Sequence, residues 1–336
     1  MKRNLQLSSS YFNNTNRLDS IFDDKDICKL IEKFVGILDG DGYFDIGPQK
    51  QYNKNTNNKP KSTIRIRLGI NLQFKDKDLL NLIVNKLGVG KIDYSKTKNQ
   101  YRLIIYKKDI LNIIYPYLNF KNINFLSYNR RKQFFLFKYI IENNIKHWEN
   151  LNLQEIDNLF NSVNKNLDFS EIIKLPYFYN WLVGFTVAEG SFHIKSKGTA
   201  HFSIVQSGIE NYHLIKAIHY FIKGKESFNH QIKPENSNVY RISFSSKKDL
   251  NFIVNFFENN KLLGLKNLQF ENWKQIITNI NKIKTISNSI SYNNKNSNND
   301  NNDINNNNNA RNVEMTKLKT NITETINSNT NKVCNQ

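Results

Sequence analysis

Apolar residues recur along this chain with two periods, and the periods alternate in a fixed order. Between Asp26 and Leu38 they fall at Ile27, Leu30, Ile31, Phe34 and Val35, close to the 3.6-residue spacing of a helix, and Gly40 with Gly42 closes the run. Tyr43–Gly47 predicts a strand. Farther on, Ile64, Ile66, Leu68, Ile70 and Leu72 alternate with Thr63, Arg65, Arg67, Gly69, Asn71 and Gln73. That is a strand with one face for a core and one face of arginines and amides. The Asn- and Lys-rich stretch Pro48–Pro60 has no period and reads as a hairpin loop. An amphipathic helix over Asp78–Leu87 ends at Gly88. Strands at Lys91–Tyr94 and Tyr101–Tyr106 follow, then helices from Lys108 to about Leu118 and from about Phe125 to Ile141. The order is α-β-β-α-β-β-α.

The same order returns from Tyr177 to about Ile280. Strands are expected at Ser191–Lys195, Ala200–Gln206, Lys225–Ile232 and Val239–Ser245, with helices over Asn211–Ile222 and Lys248–Asn259. Residues repeat as well as periods. Phe34–Phe44 is echoed by Leu182–Phe192, each an apolar helical run with an inner glycine, an acid (Asp41, Glu189), a glycine and a strand start. Tyr101-Arg102 leading to Lys107-Lys108-Asp109 is answered by Tyr240-Arg241 leading to Lys247-Lys248-Asp249. Lys121 follows Asp41 by 80 residues (121 − 41), and Lys266 follows Glu189 by 77 (266 − 189). A duplicated domain accounts for this agreement. The expected organisation is a loose leader over 1–25, a first domain over 26–141, a linker over 142–172, a second domain over 173–285 and an Asn-rich tail over 286–336. The tail has too few bulky apolar residues to offset the entropy of ordering and is expected to be disordered.

Charge narrows the partner. Lys and Arg number 48 against 29 Asp and Glu, a net charge of +19 over 336 residues, which favours a polyanion. No apolar run approaches the ~20 residues of a spanning helix. The two cysteines, Cys28 and Cys334, lie at opposite ends and suggest no disulfide framework or thiolate zinc site. The histidines lack ligand spacing and read as surface or DNA-face residues. Abundant Asn, Lys, Ile, Phe and Tyr share A/T-rich codons, which points to an organellar gene and a mitochondrial location.

Candidate chemistry centres on the repeated acids. A carboxylate at a helix C-terminus meets the negative end of the helix dipole, an unfavourable placement by about 0.3–1 kcal/mol, and a bound cation removes the conflict. Hard oxygen ligands suit Mg²⁺. Gly36 and Gly184 would let the two helices pack closely, so that Asp41 and Glu189 share metal ions for phosphodiester cleavage. Asp39 has Val187 as its counterpart, which cannot ligate through its side chain, so Asp39 reads as a helix-end polar residue.

Together these stretches resemble the two signature helices of the LAGLIDADG homing endonucleases in their single-chain form. Phe34–Gly42 matches throughout, and Leu182–Gly190 matches more loosely. The resemblance implies an α+β fold of two pseudo-symmetric αββαββα domains, a saddle of antiparallel sheets over DNA, and the signature helices at the domain interface. It implies metal binding by Asp41 and Glu189 with the carbonyls of Gly40 and Ala188. It also implies supporting basic residues Lys121 and Lys266, and polar residues Gln73 and Gln206 that order the hydrolytic water. Gln206 shares parity with Phe202 and Ile204, so either a strand bulge intervenes or it is no equivalent of Gln73. The implied reaction is Mg²⁺-dependent, site-specific cleavage of both strands of a long asymmetric DNA site by a monomer. Short 3′ overhangs and intron homing follow from the same likeness. On the strands Arg65, Arg67, Asn71, Arg102, Arg241 and Lys195 are candidate DNA contacts, reading bases or holding phosphates. The alternative function is a maturase that assists splicing of its own group I intron RNA.

Overall fold

A computed structural model describes residues 24–49, 62–163, 167–195, 198–235 and 238–296, with Val313, Thr316, Lys317 and Thr320 beyond them. The expected leader before Asp24, the tip of the 48–60 loop and the tail past Asn296, apart from those four positions, lie outside the described residues. Two compact units divide the chain. One holds the described residues of 1–190, 204–242 and 256–265, and the other those of 191–203, 243–255 and 266–336.

Helix α1, Lys25–Gly40, starts where Asp24 accepts hydrogen bonds from the amides of Asp26 (2.8 Å) and Ile27 (3.1 Å). This satisfies donors that a helix start leaves unpaired. Its apolar stripe, including Leu30, Ile31, Phe34, Val35, Ile37 and Leu38, is buried. The Asp41 amide closes the helix on the Ile37 carbonyl (2.9 Å), and β1, Gly42–Gln49, leaves at once. The turn is so tight that a Cβ on Gly42 would lie 2.5 Å from Leu38 Cδ2 and 2.7 Å from Leu38 Cα.

Strand β1 pairs antiparallel with β2, Thr63–Gln73. β2 pairs with β4, Gln100–Tyr106, and β4 with β3, Lys91–Ser95, so the sheet order is β1-β2-β4-β3. Register aligns Phe44, Leu68 and Ile105 on one face and Asp45, Arg67 and Tyr106 on the other. The apolar face packs Phe44 against Phe125, Phe134 and Phe137 at ring distances of 5.7, 6.0 and 5.8 Å. Helix α2, Lys77–Leu87, ends at Gly88 in the left-handed region (φ 64°). After β4 come a turn of α-helix over Lys107–Asp109, a π-helical turn over Ile110–Ile114 and helix α3, Tyr115–Phe120. Pro116 gives a reason for the wide turn, since it lacks the amide that would bond four residues back and its ring crowds that carbonyl. Helix α4 spans Tyr128–Glu142, a later start than the apolar pattern suggests.

The 142–172 stretch carries α5, Leu153–Val163, and α6, Phe169–Ile172, the latter opened by a capping box of Asp168 and Glu171. The second repeat contains α7, Phe178–Glu189, β5, Gly190–Ile194, β6, Ala200–Ser207, α8, Tyr212–Lys223, β7, Val239–Phe244, and α9, Lys247–Asn259. Its sheet has the order β5-β6-β7. The strand expected at Lys225–Ile232 does not form. Lys225–Ser227 is a 3₁₀ turn, with the Ser227 amide on the Gly224 carbonyl (3.0 Å), and the chain loops on from there. Only Phe228 and Ile232 are apolar in that stretch, and with His230 between them they give too small an apolar face to hold a strand. Helix α10, Gly264–Asn296, extends well past Ile286. Once a helix is anchored by packing, extending it needs no fresh nucleation, so Asn-rich sequence can follow in register.

Candidate active site

The site begins where α1 and α7 touch. A Cβ on Gly36 would clash with the Trp181 carbonyl oxygen and lie 2.7 Å from the Phe185 amide nitrogen. One on Gly184 would clash with the Lys33 carbonyl oxygen and lie 2.6 Å from its carbon. Backbone thus rests on backbone at both glycines. The approach continues to the helix ends, where a Cβ on Gly40 would run into Ala188 Cβ and lie 3.3 Å from Glu189 Oε1. The Glu189 carboxylate therefore lies beside the peptide that leads into Asp41. Gly190 repeats the tight exit of Gly42, its would-be Cβ 2.6 Å from the Thr186 carbonyl oxygen. The structure brings Gly40, Asp41, Ala188 and Glu189 together at two abutting helix C-termini.

Asp39 turns the other way. It is 1% exposed and accepts from the Leu126 amide (2.8 Å), the Ser127 amide (3.0 Å), Ser127 Oγ (2.6 Å) and Trp181 Nε1 (2.7 Å). Burial pushes its carboxyl up from the usual range, and these donors pull it back. It ties α1 to the segment entering α4 and to α7. The bonds from Leu126 and Ser127 divert that segment, which explains why α4 begins at Tyr128 and not at Phe125.

Arg130, unnoticed in the sequence, sits at the end of α1. Its Nε donates to the Leu38 carbonyl (2.8 Å) and its Nη1 to Gln133 Oε1 (2.6 Å), which also accepts from the Phe44 amide (3.0 Å). Burial lowers its guanidinium from the usual range, while the carboxylates of Asp39 and Asp41 raise it. A cation here answers the negative end of the helix.

The remaining candidates are dispersed. Lys121 follows α3 and is exposed, with Nζ 5.1 Å over the Phe120 ring. Its charge lowers the carboxyl of Glu32, which burial raises, and Glu32 stands about 14 Å of helix before Asp41. Lys266 lies in the first turn of α10, in the other unit. Just before it, the Leu265 amide donates to Asp76 Oδ1 (3.1 Å). Gln73 is exposed at the end of β2 opposite Gln100. Gln206 is half-buried near the end of β6, and its Oε1 is buried with no hydrogen-bond partner among the described residues.

The polar face of the first sheet carries the other candidates, several already engaged. Arg65 grips Asp45 through Nε (2.9 Å) and Nη2 (2.8 Å). Arg67 lies 5.6 Å over the Tyr106 ring, and Arg102 Nε donates to Asn71 Oδ1 (3.0 Å) directly across the ladder. On β7, Arg241 points outward and meets Glu235 (3.0 Å). Lys195 closes the turn after β5, its amide on the Thr199 carbonyl (2.9 Å). His201, expected at the surface, is buried instead and stacks on His193 with ring centroids 5.3 Å apart. Among the described residues no group of three or more His, Cys, Asp or Glu is placed to hold a metal ion.

Comparison with known proteins agrees with this geometry. A protein named "Probable intron-encoded endonuclease Cox1-I1b" from Schizosaccharomyces pombe is 31% identical over 263 residues, covering 72% of this chain and 62% of its own length. "Probable intron-encoded endonuclease aI3" of Debaryomyces hansenii is 25% identical over 293 residues, covering 77% and 39%. The chain thus spans less than two thirds of the length of either. Among solved structures, the LAGLIDADG meganuclease I-AabMI bound to uncleaved DNA is 26% identical, with a TM-score of 0.55, covering 76% of this chain and 92% of that one. The meganuclease I-SmaMI, bound to its uncleaved DNA target in the presence of calcium ions, shares the fold at 20% identity and a TM-score of 0.57, covering 75% and 92%. Residues 34–141 and 182–277, which contain both signature stretches, Phe34–Gly42 and Leu182–Gly190, match the LAGLIDADG endonuclease family, and the chain belongs to that family.

Proposed function

We propose that this protein is a monomeric homing endonuclease that cuts both strands of a specific DNA duplex by metal-dependent hydrolysis. The observation that carries the proposal is the placement of the Glu189 carboxylate against Gly40, next to Asp41, at the meeting of two helix C-termini. Two carboxylates and helix-end carbonyls form an oxygen-only, negatively polarised donor set, which fits a hard divalent cation such as Mg²⁺. Asp41 and Glu189 would hold it, with the carbonyls of Gly40 and Ala188. When bound, such an ion supplies an activated water and charge stabilisation at the leaving oxygen.

The chain's own residues do the rest. Gly36 and Gly184 set the separation of the acids. The orphaned Oε1 of Gln206 is an acceptor suited to orienting a water, and exposed Gln73 is proposed for the same task in the first half. Lys266 supplies positive charge for the scissile phosphate in its half. Arg67, Arg102 and Asn71 share the polar sheet face and serve as DNA contacts, with Arg241 and Lys195 in the second repeat. Both relatives are named as probable intron-encoded endonucleases, which supports intron homing for this chain as well; short 3′ overhangs are proposed from the family resemblance, and a mitochondrial setting from the A/T-rich coding pattern. One chain carries both halves of the catalytic pair, so no second copy is required.

The test is cleavage of a randomised duplex library by the purified protein, with Mg²⁺ and with a chelator. Asp41→Asn and Glu189→Gln are expected to abolish double-strand cutting while duplex binding persists. A mutant of either acid that cuts at the wild-type rate would overturn the assignment.

A further inference from the structure

The two halves can be aligned a second way, from the packing of their aromatic residues. Phe44, three residues after Asp41, packs on Phe134 and Phe137 of α4 at 6.0 and 5.8 Å. Phe192, three residues after Glu189, packs on Phe270 and Trp273 of α10 at 5.5 and 5.1 Å. Each helix therefore sits under its own sheet through an aromatic pair, three residues apart, against the same strand position. Read outward from that frame, Arg130-x-x-Gln133-Phe134-x-x-Phe137 matches Lys266-x-x-Gln269-Phe270-x-x-Trp273. The two cations also occupy the same place in their helices, third in Tyr128–Glu142 and third in Gly264–Asn296. Arg130 follows Asp41 by 89 residues (130 − 41) and Lys266 follows Glu189 by 77 (266 − 189). The longer β1–β2 connection of the first half, which includes residues 50–62, accommodates most of that difference. The spacing that selects Lys121 takes no account of this insertion.

We infer that Arg130, rather than Lys121, is the first half's counterpart of Lys266 and the positioning cation of the Asp41 site. The inference rests on the endonuclease reading above. The geometry of Arg130 suits the role. Nε is fixed on the Leu38 carbonyl and Nη1 on Gln133, so the guanidinium is anchored at the end of α1, and Gln133 joins it to the Phe44 amide near the start of the strand beyond Asp41. Lys121 lacks such placement, since its charge bears on Glu32, farther back along α1. Arg130 stays charged at every working pH and cannot give up a proton, so its contribution is a fixed positive field, whereas Lys266 is a flexible point charge. The two halves of the site are thus served by different cations.

The experiment uses a duplex that the wild-type chain cuts, with the two strands labelled separately, and follows both in one reaction. Arg130→Gln is expected to slow one strand about tenfold or more relative to the other. Lys266→Gln is expected to slow the opposite strand, and Arg130→Lys to restore most of the lost rate. A purely structural role would lower both strands together, because both acids depend on the same pair of helices. The unfolding midpoint of each variant is recorded alongside, and Arg130→Lys keeps the test open if Arg130→Gln folds poorly. Equal slowing of both strands by Arg130→Gln overturns the inference. So does a one-strand defect that appears in Lys121→Gln instead. Failure of the wild type to cut any duplex would fall on the endonuclease reading and not on this assignment.

Discussion

Gly184→Ala tests the tightest backbone approach at any glycine among the described residues. The new Cβ would lie 2.6 Å from the Lys33 carbonyl carbon and 3.0 Å from the Ile37 nitrogen. Both are backbone atoms of a packed helix, so neither can rotate away. Restoring an ordinary 3.4 Å contact requires α1 and α7 to part by about 0.8 Å at that carbon, and by more at its oxygen. Overpacking of this kind costs about 1–3 kcal/mol. The same displacement pulls Trp181 Nε1 from the Asp39 carboxylate, now 2.7 Å away, and a bond to a charged group contributes about 1.5–3 kcal/mol. The expected loss is therefore about 2.5–6 kcal/mol, read as a lower urea midpoint with little change in slope. Cleavage should fall further than stability does, because the shift also moves Glu189 away from Gly40. Gly36→Ala should behave alike, and the double variant should cost less than the two losses added, because one separation of the helices relieves both clashes. Gly47→Ala is the control, since its Cβ would meet only the Arg65 guanidinium at 3.2 Å, a part-exposed side-chain end paired with Asp45, and disturbing such a pair costs at most about 1 kcal/mol. A Gly184→Ala protein within about 0.5 kcal/mol of wild type would refute the reasoning, that being the ordinary range of a harmless substitution.

Asp39→Asn should cost about 1–3 kcal/mol in urea unfolding, because whichever way the amide is turned, its NH₂ faces at least one N–H donor in a buried site. Loss of DNA cutting without loss of stability would contradict that structural reading. Asp76→Ala should lower stability by about 1 kcal/mol by removing an acceptor at the start of α10, checked by the same unfolding curve. Arg102→Ala should weaken binding to all duplexes alike and flatten the slope of affinity against salt if it holds phosphate. Altered preference at a single base position would identify it as a base reader.

The fold was readable wherever a local period set the answer. The alternation from Ile64 to Leu72 fixes which side of β2 is buried, and the ladder keeps Arg65, Arg67 and Asn71 on the opposite side. The acid-Gly exits of α1 and α7 were also legible, since only glycine passes so close to Leu38 and Thr186. Long-range pairing was not legible. Nothing local tells that Arg65 is spent on Asp45, or that Asp39 meets Trp181. The repeat predicts a strand at Lys225–Ile232, although two apolar residues are too few to hold one. At the supporting cation, equal spacing points to Lys121 and equal surroundings point to Arg130. The surroundings are legible in the Gln-Phe-x-x-aromatic signature common to 133–137 and 269–273.

The hydrogen bond from Trp181 to Asp39 has a consequence for the ancestry of the chain. It joins unlike positions, since the repeat places Lys33 where the second copy has Trp181, and Val187 where the first has Asp39. A homodimer of second halves in this helix arrangement would bury two indole N–H groups against valines, with no acceptor for either. The copies have specialised into a plug and its socket, and fusion into one polypeptide has become hard to reverse. Attempts to split this protein into a symmetric pair would have to restore the lost acceptor first.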